Sequence, residues 1–184
     1  MTFGALHHPW ALLRPPPVPD RVVIDPTRPA LGWVLSSSHC TGPVLRRCVN
    51  FARGWGYGSV NIAGLYSSPP VGDSADSHAG RPGLDVALDE MVAACDLILL
   101  AWGADVDSHR ARHVTAALWR RCASCGGSLG VLGWTYNGQP SQPQDVAPAT
   151  VPECFTTPPC PEQHEWWATH EADDSNWSQL LSVP

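Results

Sequence analysis

The sequence predicts an α/β fold: a three-layer αβα sandwich built on a small, mainly parallel four-stranded sheet. Short apolar segments alternate along the chain with amphipathic ones. The apolar segments run continuously rather than alternating apolar with polar, and each leads into a polar, Gly-bearing loop. Continuous apolar runs mark strands covered on both faces, the usual condition of a parallel sheet. A β-α-β-α-β-α-β order then implies right-handed crossovers.

The first strand is Leu31–Leu35 (LGWVL). The helix behind it, Val44–Trp55, sets Val44, Leu45, Cys48, Phe51 and Ala52 on one face and Arg46, Arg47, Asn50 and Arg53 on the other. Thr41 is its expected cap, Pro43 lies in its first turn, and Gly54 and Gly56 end it. The Arg46-Arg47 pair reads as a solvated face, with either residue able to turn toward a carboxylate such as Asp85. The second strand is Ser59–Ala63, and the second helix Leu84–Cys95 gathers Leu84, Leu88, Met91, Val92 and Cys95. The third strand, Leu97–Trp102, precedes a helix over Ser108–Cys122 with Ser108 as its cap and Gly126-Gly127 beyond its end. The fourth strand is Leu129–Trp134. These elements define an α/β domain over residues 31–148. Before it lies an N-terminal arm, 1–30, in which Arg21–Ile24 can add an edge strand. After it, 149–184 reads as a Pro/Cys/Trp-rich tail that packs a few aromatics on the domain.

Composition narrows the function classes. The 184 residues carry a net charge of −6, with 17 acidic residues against 11 arginines and no lysine. No basic stripe runs along the chain, which argues against a duplex nucleic-acid partner and leaves a small polar metabolite. Seven cysteines, an odd number, are not spaced as in a small secreted scaffold. Pro15, Pro16 and Pro17 interrupt the only stretch where a signal peptide would sit, and Leu97–Trp102 is far too short to span a bilayer. A cytoplasmic protein with reduced thiols and no membrane partner is expected. The residues are silent on oligomeric state.

In open α/β sheets ligands bind beyond the carboxyl ends of the strands. Four polar loops follow the four strands: Ser36–Gly42, Gly64–Pro70 with Asn61 just before it, Gly103–Asp107, and Thr135–Pro143. Ser36–Gly42 can present hydroxyls and backbone N–H groups at a helix N-terminus, or simply cap that helix. His39 beside Cys40 reads as a loop histidine and a buried thiol, because adjacent residues seldom make a nucleophile–base pair. Asp105 and Asp107 can bind a cation, act as acid and base, or complement a helix dipole. Cys122 and Cys125 have metal-ligand spacing, with Cys154 and Cys160 as an irregular second pair. This is too weak to assign a metal, and no cofactor is assigned. His7-His8 reads as part of an unstructured start.

The segments GWVLSSSHCTGPVLRRCVNFARGWGYGSVNIAGLYSSPP, LILLAWGA and LGWTYNGQPSQP resemble the DUF1643 family of bacterial and phage proteins. The resemblance spans about Leu31 to Pro148, and its most specific parts are RRCVNFARGWGYG with Asn61, AWG at 101–103, and LGxTxxGQP at 132–140. The family implies no settled activity. Its motif order is similar to that of the uracil-DNA glycosylase superfamily, a fold-level analogy. In that superfamily a polar loop after the first strand positions water, an Asn grips the base, and a His-Pro loop after the last strand stabilises the departing base. Two departures from the DUF1643 pattern stand out. The usual Leu-Asn-Pro-Ser loop reads Leu35-Ser36-Ser37-Ser38, and the usual His-Pro reads Gln142-Pro143. Asn61, Asp85, Gly103, Thr135, Gly138 and Gln139 match.

The rim residues, taken with the glycosylase analogy, give as the first reading an enzyme acting on a nucleobase, nucleoside or related small polar metabolite, with N-glycosidic hydrolysis as its candidate reaction. Ser36, Ser38 or Asp105 would position water, and Gln142 would hydrogen-bond the leaving group. Asn61 and Gln139, with Gly103, Thr135 and Asn137, would line the ligand, while Trp102 and Trp134 would stack on a flat ring or pack the rim. One alternative is a catalytically reduced member that binds a metabolite or serves as an accessory protein. Another is a biosynthetic enzyme with altered chemistry based on Cys40 or His39.

Overall fold

The computed structural model describes residues 21–37, 40, 42–66, 82–155 and 174–182. In chain order these form β1 (Arg21–Val23), β2 (Ala30–Ser37), α1 (Gly42–Gly54), β3 (Ser59–Tyr66), α2 (Pro82–Ala94) and β4 (Cys95–Leu100). They continue with α3 (Ser108–Cys125), β5 (Ser128–Val131), β6 (Glu153–Phe155) and α4 (Asp174–Leu181). The strands make one six-stranded sheet in the order β1-β3-β2-β4-β5-β6. The four interior strands are parallel, as their apolar runs require. The two outer ones are antiparallel, so the sheet is mixed and larger than the four strands expected. β1 was foreseen as an edge strand. β6 is three residues beside Pro152, too short for any periodic signal.

Alternate residues of each strand feed two apolar clusters. Leu31, Trp33, Leu35, Val60, Ile62, Leu97 and Leu99 pack with Cys48, Phe51 and Ala52 of α1. Val34, Ala63, Leu65, Ile98, Leu100, Leu129 and Val131 pack with Leu88, Met91 and Val92 of α2, with Val114 and Leu118 of α3, and with Trp177 and Leu180 of α4. Side chains in a strand point alternately to opposite faces, so each cluster takes alternate residues of the strands. No helix among the described residues is long and apolar enough to cross a membrane.

The segment beyond residue 148 is more than a packed tail. It supplies β6, which registers against β5 with Cys154 opposite Gly130, and α4, which completes the second cluster. Trp177 is 0% exposed, its ring stacked on Phe155 at 4.9 Å and edge-on to Trp134 at 5.2 Å. Its indole N–H donates to Glu153 Oε1 at 2.8 Å. Trp166, Trp167 and Cys160 lie outside the described residues.

Burial holds four thiols and one phenol protonated. It pushes Cys48 and Cys154 up to about 12 from an ordinary 9.0, Cys95 and Cys122 to about 11, and Tyr57 to about 12 from 10.0. An unfolded chain gives up these thiol protons near pH 9 while the folded chain keeps them, so over that interval the unfolded state binds fewer protons and stability falls as pH rises. Under reducing conditions, stability from chemical denaturation is therefore expected to hold below about pH 9 and to decline steadily toward about pH 12. A flat profile to pH 11 would contradict the burial of these groups.

Candidate functional site

β2 and β4 are parallel neighbours that lead into helices of different apolar clusters, β2 into α1 and β4 toward α3. Strands that part in this way leave a crevice beyond their carboxyl ends. β2 delivers Ser36 and Ser37 there, both half-buried; Ser38, His39 and Thr41 lie outside the described residues. Cys40 is buried in the cluster beneath α1.

β4 ends at Leu100, so Trp102 stands beyond it, in the loop. Ala101 still donates its N–H to Val34 O at 2.9 Å, which keeps the start of that loop beside β2. Trp102 is 0% exposed and its Nε1 donates to Gln139 Oε1 at 2.9 Å. It is a packed strut, not an open stacking platform. Trp134 is half-buried against Trp177 in the same way.

The loop after β5 folds back as a small hairpin, with Trp134 bridged to Pro140. Thr135 N–H donates to Gln139 O at 2.7 Å and Gly138 N–H to Thr135 O at 3.0 Å. Thr135 Oγ1 accepts from Gln139 N–H at 3.0 Å and lies 2.6 Å from Asn137 Oδ1, its acceptor. Three further bonds fasten this hairpin to the β4 loop. Asn137 Nδ2 donates to Ala104 O at 3.0 Å, Gly103 N–H to Pro140 O at 2.8 Å, and Gln142 Nε2 to Trp102 O at 3.1 Å. Gly103 has φ +84, and a Cβ there would meet Gln142 Nε2 at 2.4 Å. Only glycine lets the glutamine lie flat on this backbone. Gly138, at φ +73, has a backbone conformation that side chains rarely adopt, and a Cβ there would lie tight against Gln179 Oε1 of α4 at 3.0 Å.

The residues expected to line the ligand thus divide. Gly103, Thr135, Asn137, Gln139, Gln142 and Trp102 do come together, but their hydrogen bonds run largely to one another and bind the loop after β4 to the hairpin. Gln142 Oε1 also accepts from Gln144 Nε2 at 2.7 Å. Asp105 is exposed directly beyond β4, while Asp107 caps α3, its Oδ1 accepting Arg110 N–H at 2.6 Å. The cap expected at Ser108 therefore belongs to Asp107, one residue earlier.

Asn61 stands apart. β3 runs on to Tyr66, so Asn61 lies near its beginning, opposite Arg21 and Gly32, and donates Nδ2 to Cys95 Sγ at 3.3 Å at the start of β4. The expectation that the strand ends at Ala63 put this residue at the wrong end of the sheet. The apolar run was cut there because Gly64 reads as a turn residue, whereas Gly64 is buried in the strand opposite Leu35.

The two cysteine pairs also part. Cys122 belongs to the cluster with α2, α3 and α4, whereas Cys154 packs against the one with α1, so the two thiols lie in different clusters. No group of three or more potential metal ligands occurs among the described residues. Arg47 turns not to a carboxylate but to backbone, donating Nε to Pro143 O at 3.1 Å and Nη2 to Val146 O while its guanidinium lies over the Phe51 ring.

Three features of the site left no trace in the sequence reading. Tyr66 Oη accepts Asp107 N–H at 2.7 Å and Arg110 Nε donates to Leu65 O at 3.1 Å, tying the end of β3 to the start of α3. Tyr136, at the tip of the fastened hairpin, is 93% exposed. Nothing in one sequence separates that tyrosine from the buried tryptophans beside it.

The family model described as "Protein of unknown function (DUF1643)" matches residues 36–144, more than half of the chain. The chain belongs to the DUF1643 family. The DUF1643 match begins at Ser36, near the C-terminal end of β2, and ends just past the hairpin at Gln144. β1, most of β2, β6 and α4 fall outside it. No curated protein and no solved structure matches the chain.

Proposed function

We propose that this DUF1643 member binds a small polar ligand of the nucleobase or nucleoside class in the crevice between the C-terminal ends of β2 and β4. The observation that supports the reading is that these two adjacent parallel strands lead into helices of different apolar clusters, with hydrogen-bonded loops beside their C-terminal ends. Ser36 and Ser37 on one side and Asp105 on the other offer polar contacts, and the exposed Tyr136 ring offers a flat face to stack on. The same reading takes the architecture as three layers, α1 on one side of the sheet and α2, α3 and α4 on the other. It places the protein in the cytoplasm, in keeping with its unbridged thiols Cys48, Cys95, Cys122, Cys125 and Cys154.

Binding without turnover is favoured by Gln142. Its amide holds Trp102 O and is held by Gln144, and an amide neither carries a charge nor passes a proton at neutral pH. N-glycosidic hydrolysis, with the likeness to uracil-DNA glycosylases in motif order, is the second reading. Asp105 favours it, as an exposed carboxylate beyond β4 able to orient water.

A panel of nucleobases, nucleosides and nucleotides tests both, by thermal shift and by chromatography of released base. At least one compound is expected to stabilise the fold, by about 2.7 kcal/mol at a hundredfold excess over Kd. Ser36→Ala and Tyr136→Ala should each remove that shift without moving the unliganded midpoint. Base release that Asp105→Asn abolishes would establish the hydrolase instead. A panel with neither shift nor release would sink the ligand class.

A further inference from the structure

We propose that His109 and His113 form a chelating site for one borderline divalent cation, of the zinc, nickel or copper(II) class, on the outer face of α3. The site is separate from the crevice and does not rest on its function. α3 runs unbroken from Ser108 to Cys125, and the Asp107 cap fixes its first turn. Residues four apart on a helix lie one above the other, with Cβ atoms about 5–6 Å apart. That spacing lets two imidazole nitrogens reach one ion from the same face, as two histidines at i and i+4 do in zinc-binding helices.

Both histidines are exposed, and neither side chain has a hydrogen bond or ion pair among the described residues, so within these their imidazole lone pairs are uncommitted. The neighbouring cations are drawn aside, Arg110 to Leu65 O at 3.1 Å and Arg112 to Ser108 O at 3.3 Å. Imidazole is the ligand type these ions favour over calcium or magnesium. With no third protein ligand among the described residues, water fills the remaining positions, so the ion is exchangeable and keeps open coordination sites. The helix fixes both Cα–Cβ bonds on one face beforehand, so the second nitrogen binds as an intramolecular partner of the first.

The test uses the full chain with Zn²⁺ and Ni²⁺ alone, titrated by calorimetry in a non-chelating reductant. Other histidines and thiols can bind metal, so the readout is the difference between proteins. His109→Gln and His113→Gln should each weaken one equivalent of binding by about tenfold or more, with unchanged helix content by circular dichroism. In the His113→Gln background, Arg112→His restores a facing imidazole at i+3 and should recover part of the lost affinity. Wild-type protein and the variant carrying both His109→Gln and His113→Gln binding the same equivalents with the same affinity would overturn the site, as would failure of the wild type to bind either ion.

Discussion

Replacing Trp177 by alanine is expected to destabilise the protein by about 3–5 kcal/mol, the range for deleting a fully buried large aromatic. The indole is enclosed between Phe155 and Trp134, and its N–H is bonded to Glu153. Its loss leaves a cavity over β5 and strips Glu153 of its donor. It also frees α4, whose Gln179 and Asn176 lie against the turn at Gly138. The effect should reach the crevice, because that turn carries Tyr136. Urea denaturation would measure the destabilisation, with a shift of roughly 2–4 °C in midpoint per kcal/mol for a chain of this size as a second readout. Trp177→Phe, which keeps most of the packing and loses the hydrogen bond, should fall between wild type and alanine. An effect within about 0.5 kcal/mol, the range of ordinary surface substitutions, would mean that residues after 148 only decorate the domain.

The second large effect concerns the bond between Trp102 and Gln139, the buried link between the loops after β4 and β5. Trp102→Phe keeps an aromatic in the core but leaves Gln139 Oε1 without its donor, and Gln139→Leu does the converse to Trp102 Nε1. Each should cost about 1–3 kcal/mol, the penalty for a buried polar group left unsatisfied. The double variant removes both polar partners together and should be more stable than the sum of the single losses predicts, with a coupling of about 0.5–3 kcal/mol. Strict additivity would mean that the two side chains do not depend on each other. The single variants should also loosen the hairpin, so ligand-induced stabilisation, where present, falls further than global stability does.

Several parts of this architecture were legible before any coordinates. The runs LGWVL and LILLAW are apolar at every position or nearly so, and only strands covered on both faces tolerate that. The mixed faces of 44–55 and 108–122 admit only helices. Gly54 with Gly56, and Gly126, mark helix ends because they supply backbone conformations that close a helix. Other features escaped for definite reasons. β6 is held by its register with β5, a long-range pairing that three residues cannot announce. Trp177 looked like tail because its partners, Phe155, Trp134 and Glu153, are more than twenty residues away in sequence. Asn61 was misplaced because a buried glycine inside a strand looks like a turn until its neighbour strand is known.

By itself the sequence determined the class of fold, the parallel centre of the sheet and the loops that share its carboxyl end, since these follow from which side chains avoid water and at what period. It determined family membership as well, through motifs that are local strings. Only the tertiary structure decided which rim residues stay exposed and which serve one another. Gln139, Gln142, Asn137 and Trp102 are polar or aromatic in any reading, yet a hydrogen-bonding group has few valences. Where a distant segment satisfies them first, they become wall rather than contact.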